Sequence, residues 1–275
     1  MTFHVWGVIL LLLQTQGLLS QEWRVTEVNG DMNRTPFPCN IKQVTLAKGA
    51  VISELPDIPV LYRRHEYINS AVRAASTKDK LTGVEHGQEH VLLSSSNTYS
   101  HDRLEMTLRD YVLSMNDHLT SKSNETYYLF GGNTGPIWTK LENLYNLPPY
   151  LYAKEAGAVT FGIGGTNSGV SFHLHGPGFS EVVHGSKRFF LYSSTTDTKG
   201  LFDPDTTQAD WLSTNYPTAK NNPNRPLYEC IIYPGEILYF PDKWMHATLN
   251  VEEYNVFVSV FVDLQLVSAA AKAHK

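Results

Sequence analysis

FHLHGPGFSEVVHGSKRFFLY, residues 172–192, is the stretch that decides the fold. It opens with His173 and His175, two positions apart. In an extended strand residues i and i+2 point to the same face, so both imidazoles share one face and form a ready chelate for a divalent metal. Phe172 and Leu174 then fall on the opposite, buried face. A polar pair at a strand end would read the same way, so the pair alone does not fix a metal site. GPG at 176–178 interrupts the strand. Two further strand-like runs follow, Glu181–His184 and Arg188–Tyr192, with Gly185 between them.

Downstream, YPGEILYFPDKWMHATLNV (233–251) supplies the third element. A tight turn at Pro234-Gly235 opens a strand, Ile237–Phe240, and Pro241 ends it. His246 follows on the turn before the next strand. A β-barrel can bring this turn opposite the His173–His175 strand, so that a third ligand arrives from across the barrel.

The rest of the second half reads alike. Tyr127–Phe130, Val159–Ile163, Val170–His175, Glu229–Ile232, Ala247–Val251 and Val256–Val262 are short, rich in β-branched and aromatic residues, and mostly separated by Gly, Pro or Asn. Many short strands argue for a sandwich or a barrel that removes its edges by closure. The first half carries the helices. Tyr62–Ser76 is one candidate. Thr107–Asn116 is a better one, capped by Thr107 with Asp110 three residues on, and with Leu104, Leu108, Tyr111 and Met115 on one face. His90–Leu93 reads as a strand. Helices first and strands after give an α+β class.

Two resemblances enter here. The spacing Gly235-x5-Pro241-x4-His246-x3-Asn250 resembles the second motif of the cupins, with Lys243 where a Gly is common. The 172–192 run resembles the first half of a Jumonji-C (JmjC) domain, in which an H-x-D/E strand is followed by a Gly, then by Lys-Arg and an aromatic strand. Here these are Gly185, Lys187, Arg188 and Phe189. The resemblance covers about Tyr127–Leu264. It implies a double-stranded β-helix with flanking helices, its barrel core about 121–265, holding Fe(II) and 2-oxoglutarate. By position, His173 matches the first metal histidine and His246 the distal one. Lys187 matches the residue that pairs with the far carboxylate of 2-oxoglutarate, a role that suits a point charge; a snorkelling surface lysine is the alternative. Tyr128, on the strand YYLF, matches the tyrosine that touches the co-substrate, with an ordinary core aromatic as its alternative.

One position departs from the family. His175 stands where the family has Asp or Glu. The expected metal set is therefore His173, His175 and His246, three neutral imidazoles that hold Fe(II) or another divalent metal, and no residue is given a catalytic role. The reading goes against Glu181 as a fourth ligand. Asn255 and Ser259 both stay open for a contact on the last strands. His184 reads as a strand surface residue. GIGG at 162–165 precedes a strand, not a helix, so it is no phosphate loop.

The chain has 275 residues and a formal net charge of −5, without the basic footprint of a nucleic-acid binder. The apolar run VILLLL, residues 8–13, is too short to span a bilayer and suits a signal-peptide core. Gly17 and Ser20 suit cleavage, which gives a signal at 1–20 and a single domain at 21–275; a signal anchor or a buried strand is the alternative. No other apolar stretch is long enough to cross a membrane. Asn33-Arg-Thr35 and Asn124-Glu-Thr126 are N-glycosylation acceptors. Cys39 and Cys230 read either as one disulfide or as two small buried residues. Together these place the chain in the lumen of the endoplasmic reticulum, with proteins as partners, although AAAKAHK at the C-terminus carries no retrieval signal. Two functions follow. One is a protein-modifying oxygenase, a hydroxylase of weak or altered activity, favoured by Lys187. The other is a non-catalytic barrel that regulates partner proteins in signalling or complex assembly, favoured by His175.

Overall fold

The computed structural model describes residues 39–273 except 65, 97–101, 118–120, 123–124 and 132–133. The expected signal segment, 1–20, and both expected acceptor asparagines, Asn33 and Asn124, lie outside the described residues.

The strands in chain order are β1 (Lys42–Leu46), β2 (Val60–Arg64), β3 (His90–Ser95), β4 (Arg103–Thr107), β5 (Ser121–Lys122), β6 (Glu125–Phe130), β7 (Gly157–Gly164), β8 (Gly178–His184), β9 (Lys187–Tyr192), β10 (Tyr228–Ile232), β11 (Glu236–Phe240), β12 (Met245–Asn250) and β13 (Asn255–Val262). They form two sheets. The ten-stranded sheet runs β1-β2-β11-β8-β13-β7-β6-β3-β4, with β5 beside β6, and the three-stranded sheet runs β10-β9-β12. Apart from β1 and β2, every strand pair is antiparallel. This arrangement is a double-stranded β-helix in an α+β setting.

Period-two alternation sorts the side chains into three apolar layers. Phe161 and Ile163 of β7, with Val256, Val258 and Val260 of β13, face outward and pack under Val72, Leu108, Tyr111, Ile137, Trp138 and Leu141 from helices. Leu61, Val182, Leu238 and Phe257 of the large sheet meet Phe189, Leu191, Cys230 and Ile232 of the small one, so this second cluster fills the barrel interior. Phe190, Tyr192, Ala247 and Leu249 point away from the interior and pack on Trp211 and Ala219 of two short helices, Gln208–Thr214 and Tyr216–Ala219. Cys39 and Cys230 are disulfide-bonded, which fastens the start of the described chain to β10.

Three local readings change. Tyr62–Arg64 is strand, and the expected helix shrinks to Ser70–Ala75. Pairing of β2 with both β1 and β11 outweighs the local helical pattern. His246 lies within β12, not on the turn before it. Leu174 is 55% exposed, not buried: the expected strand Val170–His175 is an irregular segment, held to β12 by the His173–His246 bridge and by Thr248 N donating to Val170 O, so strict alternation does not hold at 174. The Thr107 cap forms as expected, its Oγ1 accepting from Asp110 N at 3.1 Å. Among the described residues no helix is long and apolar enough to cross a membrane.

Candidate metal centre

The His173–His175 segment lies along β12. His173 N donates to His246 O at 3.0 Å and His246 N donates back to His173 O at 2.9 Å. The turn after Pro241 closes on the same segment, Lys243 N donating to His175 O at 3.1 Å. Lys243 holds φ +59°, the left-handed region that favours glycine, which explains why a Gly suits this position of the motif.

This local geometry gathers His173, His175 and His246. One ligand atom from each lies within 4.8 Å of the others. The backbone fixes the tautomers. His173 Nδ1 faces Ser171 O at 2.8 Å, His175 Nδ1 faces Gly176 O at 2.7 Å, and His246 Nδ1 faces Trp244 O at 2.7 Å. A carbonyl oxygen can only accept, so each Nδ1 carries the hydrogen and each Nε2 presents a lone pair. The Nε2 atoms of His175 and His246 are 3.2 Å apart. Two lone pairs at that distance repel unless a cation lies between them. A proton fits poorly there. Burial lowers the pKa of His173 to about 4, that of His175 below its ordinary value and that of His246 well below it. A metal fits well: two metal–nitrogen bonds of about 2.0–2.1 Å at right-angled to tetrahedral angles set the nitrogens about 2.8–3.4 Å apart. Phe240 stacks on His246 with centroids at 5.0 Å, and Phe261 meets His175 edge-on at 4.8 Å, so the centre has an apolar wall.

Glu181 is not a member of this group. It points to the outer face of β8, where its carboxylate accepts from Asn69 Nδ2 at 2.9 Å and from the Tyr145 hydroxyl at 3.2 Å. His184 is also elsewhere, its Nε2 2.9 Å from Arg73 O. Asn255 serves the backbone: its Nδ2 donates to Gly164 O at 3.1 Å and its Oδ1 accepts from Ser186 N at 3.0 Å. Ser259 shares the inward face with Phe257, and in register it lies between Thr160 and Ser180. Among the described residues the buried Ser180 hydroxyl has no hydrogen-bond partner.

Lys187 lies on β9 opposite Asn250 of β12. It is 2% exposed, and its Nζ donates to Asn250 Oδ1 at 3.1 Å. Asn250 Nδ2 donates in turn to Ser168 Oγ at 3.0 Å. Among the described residues no carboxylate pairs with the ammonium, and desolvation lowers its pKa from 10.5 to about 7. His246 and Asn250 share one face of β12, so a single strand carries both a ligand of the metal group and the amide that positions the lysine. The partnership with Asn250 is not written in local sequence; the cupin-like spacing marked Asn250 but not its role. Tyr128 is buried on the inner face of β6 and stacks loosely on Phe130 with centroids at 6.3 Å. Among the described residues no hydrogen bond joins it to Lys187.

Residues 38–264 match the profile of the cupin-like domain. The chain is similar to JmjC domain-containing protein 8 of Homo sapiens, 38% identical over 249 residues that cover 90% of this chain and 87% of that protein. It is 42% identical over 196 residues to the Mus musculus protein of the same name, covering 70% of this chain and 71% of that one. An arginine-specific demethylase of Arabidopsis thaliana is more distant, 25% identical over 152 residues, or 48% of this chain and 30% of that protein.

Proposed function

This chain belongs to the JmjC family of cupin-like proteins, and we propose that it holds one divalent metal on His173, His175 and His246 and binds 2-oxoglutarate with Lys187 as its anchor. The observation that carries this reading is the convergence of three Nε2 lone pairs whose tautomers are fixed by backbone carbonyls. The buried ammonium of Lys187, which among the described residues meets an amide oxygen and an aromatic face but no carboxylate, supports the dicarboxylate.

When bound, an iron centre with 2-oxoglutarate supplies the oxidising chemistry of the family. The residues of this chain hold, orient and tune. His173 and His246 fix the metal from two adjacent segments. Lys187 supplies the positive charge for a carboxylate, and Asn250 holds it in place. Phe240 and Phe261 exclude water from one side. His175 brings no negative charge where a carboxylate would bring one, so the centre is more positive by one unit and resists a rise in oxidation state. We therefore assign an oxygenase-type site of low turnover that acts on a protein side chain. His175 also favours a second reading, a non-catalytic barrel that regulates partner proteins in signalling or complex assembly.

We place the protein in the lumen of the endoplasmic reticulum. The apolar run at 8–13 and two acceptor triplets support this. So does the Cys39–Cys230 bond, because disulfides persist in oxidising compartments.

The test is succinate formation and 2-oxoglutarate binding by metal-replete protein. Succinate that disappears in Lys187→Ala identifies the oxygenase. Binding without succinate assigns the regulatory barrel. Protein that takes up no metal refutes the metal centre and the oxygenase and leaves the regulatory barrel.

A further inference from the structure

The ammonium of Lys187 is covered. Its Nζ lies 3.6 Å from the centroid of the Phe257 ring, within the range of a cation–π contact. That ring is 2% exposed and stacks on Phe130 with centroids at 5.6 Å. Gly162 is the cross-strand neighbour of both Phe257 and Phe130. A Cβ at Gly162 would come within 2.2 Å of the Phe257 ring. The missing side chain at 162 is therefore what lets the ring lie flat against the sheet and over the lysine.

The two contacts of the ammonium, one amide oxygen and one aromatic face, are each weaker than a carboxylate. A carboxylate arriving at Nζ competes with the ring for the same charge. Phe130 and the Gly162 backbone favour this slot for the ring, so moving it aside takes up part of the energy that an incoming carboxylate supplies.

We propose that Phe257 is the gate of the co-substrate site, its ring capping Lys187 and yielding to a dicarboxylate when one binds. The gate rests on the reading that Lys187 anchors 2-oxoglutarate. It sets the affinity for any dicarboxylate, since each must displace the ring, and it leaves the three imidazoles untouched.

The experiment is calorimetric titration of metal-replete, oxygen-free protein with 2-oxoglutarate, for wild type, Phe257→Leu, Phe257→Ala and Lys187→Met. Metal content and circular dichroism check that each variant is folded and loaded. Phe257→Leu keeps most of the bulk but removes the π face, and it should bind roughly ten- to thirtyfold tighter than wild type, the upper figure being the full strength of a desolvated cation–π contact. Phe257→Ala should bind at least as tightly; where it fails to fold, Phe257→Leu decides. Lys187→Met should not bind. Wild-type binding that is lost in Lys187→Met yet unchanged in Phe257→Leu overturns the gate and leaves the co-substrate reading standing. No binding by any metal-loaded variant overturns both.

Discussion

Replacing Lys187 by Met should separate stability from function. The buried ammonium is costly: a pKa lowered from 10.5 to about 7 by desolvation corresponds to roughly 5 kcal/mol against the charged form. The Phe257 face returns up to about 2 kcal/mol of that, leaving about 3 to 5 kcal/mol. The sign follows from proton counts. The folded-state pKa lies below the unfolded one, so between pH 7 and about 10.4 the unfolded chain binds more protons, and stability rises with pH across that window. The penalty is fully present below pH 7 and absent above the unfolded pKa. Lys187→Met removes the titrating group but leaves Asn250 Oδ1 without its donor, a pH-independent cost of about 1–3 kcal/mol. The assay is urea unfolding of both proteins, without metal or co-substrate, from pH 6.5 to 10.5. Both cysteines are disulfide-bonded, so no free thiol complicates the alkaline end. The difference in unfolding free energy should shift by about 3 to 5 kcal/mol in favour of wild type as pH rises from 7 to 10.5. A difference that stays constant across that range would refute the buried, charged lysine.

Replacing both Cys39 and Cys230 by Ser opens a loop spanning 191 positions, and chain entropy puts the loss at about 5 kcal/mol; melting should fall by roughly 10–20 °C, and a fall of only a few degrees would show that the bond does little. Expression in mammalian cells should give a glycosidase-sensitive protein whose band shift vanishes when Asn33 and Asn124 are both changed to Gln; an unshifted, cytosolic wild type would remove the luminal assignment. His175→Asp lowers the charge of the centre by one unit and should raise iron-dependent succinate formation severalfold over wild type. Less succinate from the Asp variant than from the parent, at equal metal content, would count against the charge argument.

The three-histidine cluster was legible because its members lie in compact local patterns. His173 and His175 are two apart on one segment, and the Gly235, Pro241 and His246 spacing records a strand, a stop and a return. The barrel was legible from its short, aromatic strands. What escaped is long-range. Nothing near Lys187 announces Asn250 or Phe257, which reach it only after β12 and β13 close the barrel. Tyr62 sits in a strand because β1 and β11 pair on either side of β2, a fact distributed over the chain. Leu174 follows strict alternation in sequence, yet residues 170–175 pair with β12 without forming a regular strand, and Leu174 is left exposed. The helix Leu264–Ala273 buries none of its residues, so core periodicity gave it no clear signature.

The most direct measurement is elemental analysis of protein purified without chelator, wild type beside the His173→Ala/His246→Ala double variant. The account predicts about one equivalent of divalent metal in wild type and none in the double variant, with both folded by circular dichroism. Equal metal in the two, or a folded wild type that takes up none when supplied with Fe(II), Zn(II) or Ni(II), would contradict it.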